Sequence, residues 1–88
     1  MDLIDQMREL NPEAFYPTGF EECIVGIGER CGQPALFILD ETKCIEHLTK
    51  DGMSWEEAEE FYNFNVKGAW VGENTPIFAV MNSAENSS

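Results

Sequence analysis

The stretch ECIVGIGERCGQPALFILD, residues 22–40, decides how this chain folds. From Glu22 to Glu29, Cys23, Val25 and Ile27 alternate with Ile24, Gly26 and Gly28. That two-residue period predicts a strand with little side-chain bulk on one face. Glu29 to Gln33 supplies a turn in which Gly32 takes a positive φ. Pro34 to Leu39 is then a nearly continuous apolar run ended by Asp40, a second strand and the partner of the first in a β-hairpin.

Beyond the hairpin, Asp40 is placed to cap a helix over 41–50 that buries Cys44, Ile45 and Leu48 and ends at Asp51 and Gly52. Ser54, Trp55, Glu56 and Glu57 form a capping box, the strongest local signal in the chain, and start a further helix. On it Trp55, Ala58, Phe61, Tyr62, Asn65, Val66 and Ala69 share one face, with Glu56, Glu59, Glu60, Asn63 and Lys67 opposite. Gly68 and Gly72 limit that helix around Trp70, and Thr75 to Met81 reads as a last strand opened by Pro76. Before the hairpin, Leu3, Ile4, Met7 and Leu10 lie at helical spacing, Asn11 and Pro12 stop that helix, and 11–20 is irregular. The expected fold is a single α+β domain over 1–81 followed by a disordered tail, 82–88. Its core is a three-stranded antiparallel sheet in spatial order 2-1-3, the thin strand central beneath a two-helix unit, with an extra N-terminal helix.

Seventeen acidic residues against five basic ones give a net charge of −12 over 88 residues. A surface that anionic repels phosphate backbones, so direct nucleic-acid binding is disfavoured. The excess is concentrated in residues 1–22, which include Glu21 and Glu22, and in residues 51–60, which hold Asp51, Glu56, Glu57, Glu59 and Glu60. These seven named acids are the candidate partner-binding residues, because an anionic surface can occupy a basic, nucleic-acid-binding site on another protein. Three cysteines, an odd and sparse set, and an acidic N-terminal segment without a long apolar run predict a soluble cytoplasmic protein that does not enter membranes.

Motifs for chemistry are weak. Gly26, Gly28 and Gly32 are spaced one residue wrong for a dinucleotide turn and precede a hairpin rather than a helix. Cys44 and His47, three apart on one helix, make with Cys23 and Cys31 a Cys₃His donor set of the zinc type. No Cys-x-x-Cys knuckle accompanies it and Cys23 suits a core strand, so the cysteines read as structural thiols and no metal or cofactor is expected. No calcium loop is present, and no base or oxyanion hole can be read beside a Cys–His pair, so a non-enzymatic protein is expected. Asn65, placed on the core face, is expected to be a buried structural clamp. Ser54, Gly68, Trp70 and Gly72 are the other structural positions.

The run from Gly52 to Ala58, followed by Phe61 to Pro76 with its Asn65-Val66-Lys67-Gly68-Ala69-Trp70-Val71-Gly72-Glu73 core, resembles small phage and prophage proteins of unestablished activity. The likeness spans roughly residues 22–81, with Gly26, Arg30 and Gly32 in the hairpin. It implies a virus-associated product of the kind that inhibits host defence, such as a CRISPR or restriction component, through a basic surface of that host protein. The alternative is an assembly protein that forms a small homo-oligomer, a homodimer among them, through an apolar edge strand and exposed aromatics.

Overall fold

In the computed structural model, which describes residues 2–69 and 72–81, the hairpin stretch forms strands β1 (Ile24–Gly28) and β2 (Leu36–Asp40). They pair antiparallel, and Gly32 holds φ at +79° in the connecting turn. Helix α1 (Leu3–Leu10) precedes them, and a short 3₁₀ turn (Glu21–Cys23) leads into β1. After β2 come α2 (Glu41–Lys50), α3 (Trp55–Phe61), a π-helical turn (Tyr62–Val66) and β3 (Ile77–Ala79). The caps follow local chemistry: Asp40 Oδ1 accepts from the Thr42 amide at 2.9 Å, and Ser54 and Glu57 complete a reciprocal capping box. The expected tail, 82–88, and Trp70 lie outside the described residues.

The sheet differs from the sequence expectation in two respects. Its order is β1-β2-β3, not 2-1-3, and β3 runs parallel to β2, so the sheet is mixed rather than antiparallel. Parallel pairing of Ile38 with Ile77 and Asp40 with Ala79 brings the chain back, after both helices, to the end of the sheet where β2 begins. The chain makes that return between the π-helical turn and β3. β2 is central because it carries the bulky core residues: Phe37 and Leu39 are buried with Cys23, Cys44, Ile45, Leu48, Ala58 and Tyr62. Phe37 meets the Tyr16 ring edge-on at 5.4 Å, and Phe78 of β3 meets Tyr62 at 5.7 Å.

β1 lies at the edge and is interrupted. Ile24 pairs with Leu39 but Gly26 with Ile38, so Val25 is an extra residue, a β-bulge. The bulge resets the alternation, so Cys23, Ile24 and Ile27 all meet the core while Val25 does not join the core cluster. Gly28 lies under no helix. A Cβ there would meet Ile38 at 3.1 Å and Ile77 at 3.2 Å, so the glycine makes room for neighbouring strands' side chains on the sheet's outer face. Leu36, Ile38 and Ile77 share that face and take no part in the buried core.

The ends of the fold are joined by Asn11, which also closes α1. Its Nδ2 donates to the Ala35 carbonyl at 2.8 Å and to Asn74 Oδ1 at 2.9 Å, while its Oδ1 accepts from the Glu13 amide at 3.2 Å. Ala35 immediately precedes β2 and Asn74 closely precedes β3, so one carboxamide holds the starts of two parallel strands together. Asn11→Ala should lower stability by about 1–3 kcal/mol by leaving the Ala35 carbonyl unpaired, against about 2–5 kcal/mol for Leu39→Ala in the core. Urea unfolding of the two variants measures both, and an Asn11→Ala midpoint equal to that of the parent would refute the clamp.

Candidate functional site

The capping box fixes where α3 starts and therefore which side chains it turns inward. Ala58, Tyr62 and Val66 face the core at four-residue spacing. Continued α-helical geometry would bring Asn65 and Ala69 inward as well, but Lys67 N–H donates to the Tyr62 carbonyl at 2.7 Å, five residues back. The widened turn keeps Val66 buried while Asn65, Phe64 and Ala69 are exposed. Asn65 is thus not the buried clamp expected of it, and Trp55 and Phe61, also expected on the core face, are 47% and 38% exposed. Phe64 is 74% exposed.

Gly68 closes this turn for a steric reason. A Cβ there would stand 2.8 Å from the Asn63 carbonyl oxygen, closer than any side chain tolerates. Gly72 opens the next turn, its carbonyl accepting from the Thr75 hydroxyl at 2.7 Å. Gly68→Ala should therefore destabilise the protein by about 1–3 kcal/mol, the range of an overpacked site. A thermal unfolding midpoint unchanged by that substitution would refute the close approach.

Three exposed aromatics share a short helical unit with a row of carboxylates. Glu57, Glu60, Phe61, Phe64 and Asn65, each three or four residues from another of the set, line with Met53 from the preceding loop an open groove of about 400 Å³. Glu56, Glu59 and Glu60 are exposed and enter no ion pair among the described residues, and neither does Asp51, whose amide caps α2 by donating to Leu48 and Thr49. Glu57 has a structural task, its Oε1 accepting from the Ser54 amide at 3.0 Å.

Glu21 and Glu22 are not part of this groove. They line a second hollow, of about 510 Å³, with Asp2, Leu3, Ile4 and Ile24. Glu22 is also partly neutralised, 3.7 Å from Lys50 Nζ and 3.8 Å from His47 Nδ1, the latter an ion pair when the ring is protonated. The sequence reading therefore joined acids of two kinds, some already partnered within the chain. Met53 and Phe64 were missed, although the Glu57, Glu60, Phe61, Phe64 spacing is legible as one helical stripe.

The candidate zinc donors do not converge. Cys23 and Cys44 are fully buried, Cys31 is exposed on the hairpin turn, and His47 stands against the Phe20 ring at 4.7 Å. Among the described residues no group of three or more His, Cys, Asp or Glu is arranged to hold a metal ion. Burial, the largest cause, pushes the Cys23 and Cys44 thiols up, and the proximity of Cys23 adds to the rise at Cys44. The Tyr62 phenol is raised by burial and then by the Glu41 charge, and its hydroxyl is buried without a hydrogen bond.

No family model matches the chain, nor does any curated protein or solved structure. The site must be read from its own geometry.

The raised acids give a direction to the pH dependence of stability. Below the ordinary thiol range both folded and unfolded chains hold these groups neutral, so they contribute no slope. Above it the unfolded chain ionises first, and stability falls as pH rises, from about pH 8.5 for the thiols and about pH 10 for Tyr62. Urea midpoints across alkaline pH should decline accordingly. A thiol-reactive dye at neutral pH should label Cys31 in the native protein and all three cysteines in denaturant; rapid native labelling of Cys23 or Cys44 would contradict their burial.

Proposed function

We propose that this is a small acidic binding protein that inhibits a host factor by occupying its basic, nucleic-acid-binding surface. The observation that supports the reading is the surface of α3 and the π-turn, where Trp55, Phe61 and Phe64 stand exposed among Glu56, Glu59 and Glu60. A purely solvated acidic helix has no use for three uncovered aromatic rings, whereas interfaces concentrate aromatic anchors within a charged surround. The unpaired carboxylates add steering toward a cationic partner and exclude a phosphate backbone. A phage or prophage origin, which the resemblance implies, would point to a host-defence partner such as a CRISPR or restriction component in the host cytoplasm. On this reading the protein is not an enzyme and needs no cofactor. No helix among the described residues is long and apolar enough to cross a membrane.

A pull-down from bacterial lysate at low and high salt tests the proposal. The partner should be retained at low salt and released at high salt, duplex DNA should compete for it, and the triple reversal Glu56→Lys, Glu59→Lys, Glu60→Lys should weaken capture at least about tenfold. Retention that ignores salt, DNA and charge reversal would end the mimicry reading. A second reading, a homo-oligomeric assembly protein, is favoured by one other observation: Leu36, Ile38 and Ile77 on the open sheet face continue into the exposed Val80 and Met81. Sedimentation distinguishes it, since a strict monomer at high concentration removes it.

A further inference from the structure

The groove beside α3 combines features that a generally acidic surface does not require. Its residues come from successive turns of one helical face, Glu57, Glu60, Phe61, Phe64 and Asn65, with Met53 as the opposite wall. Phe64 leaves three quarters of its surface in water. That surface adds nothing to the stability of the free protein, and its burial is a gain available when something planar or apolar covers the ring. Glu60 contributes a carboxylate with no ion pair among the described residues. Glu57 uses one carboxylate oxygen on the Ser54 amide and leaves the other free. Asn65, rotated outward by the π-turn, adds an amide oxygen.

A guanidinium satisfies all of these at once. It is planar and stacks on an aromatic face, it is cationic and complements the two carboxylates, and its fork of N–H donors can reach several acceptors together. A lysine ammonium is a hydrated point charge that answers the carboxylates but stacks less well. We infer that this groove is an arginine-reading site, in which an arginine side chain from a basic segment of a protein partner lies across Phe64 and Phe61 with its guanidinium held by Glu60. The inference rests on the binding-protein reading and specifies its point of recognition.

The test uses the intact protein and two defined probes, a hexa-arginine and a hexa-lysine peptide, in ¹⁵N NMR titrations. Arginine should bind more tightly than lysine by about two- to fivefold, the increment of an exposed cation–π contact. Shifts should centre on residues 57, 60, 61, 64 and 65. Phe64→Ala, at an exposed position that leaves the core untouched, should reduce arginine binding to the lysine level, and Glu60→Gln should weaken both peptides. Equal affinity for the two peptides, shifts centred on Asp2, Glu21 and Glu22, or an undiminished preference in Phe64→Ala would each overturn the assignment. The two readings fail separately. Arginine preference in the groove with no salt-sensitive partner in lysate sinks the inhibitor proposal alone, and a salt-sensitive partner indifferent to Phe64→Ala sinks the groove alone.

Discussion

One carboxamide ties together the segments that enter the two parallel strands. Asn11 stands where α1 ends, and its amide reaches the carbonyl just before β2 and the side chain of Asn74 just before β3. Parallel strands need their starts at the same end, and here the pairing of Ile38 with Ile77 is backed by a polar tie between the segments that enter the two strands. Buried Thr75 and Pro76 complete the approach to β3. Contacts separated by 24 and 63 residues close long loops whose entropic cost must be met by the core they bring together. Asn11 bridges that closure, while Phe37, Leu39 and Tyr62 lie in the buried core and Phe78 packs against it.

Local chemistry was legible in the sequence. Asp40, Ser54 and Glu57 announce helix starts through side chains that bond within three residues, and the apolar run 34–39 announces a strand. The spatial order of the strands and the partner of β3 were not, because they depend on long-range choices. Glycines in β1 suggested a thin central strand under a helix, yet the same glycines serve an edge strand whose free face is covered by Ile38 and Ile77. β3 was expected antiparallel beside β1, and it pairs instead with β2, whose direction it shares. Asn11 followed by Pro12 reads only as a helix stop; nothing local reveals that its amide spans the fold.

The candidate site shows the same division. Capping and spacing placed α3 and its acids correctly on the surface, but a single five-residue hydrogen bond changed the facing of everything after Tyr62. With 3.6 residues per turn Asn65 points inward; with the wider turn it joins Phe64 outside. A π-turn has no strong sequence signature, and Gly68 is its clearest trace, since only a residue without Cβ can lie 2.8 Å from the Asn63 carbonyl at that atom's position. The sequence marked Gly68 as structural and missed why.

The charge distribution gains meaning once the few internal ion pairs are subtracted. Arg8, Lys50 and Lys67 answer Asp5, Glu22 and Glu41 respectively, all at 3.7–3.8 Å; the first two pairs lie largely in solvent, where such pairs are worth little, and Glu41 is partly buried. The acids of α3 are left to repel one another, relieved only by the helix N-terminus they crowd. Folding does not need that arrangement, since the core is complete on the opposite side of the helix, through Ala58, Tyr62 and Val66. A helix anchored by one face and carrying exposed like charges on another would be attracted by a cationic surface. Exposed rings beside the same carboxylates give that contact an apolar component that salt does not screen.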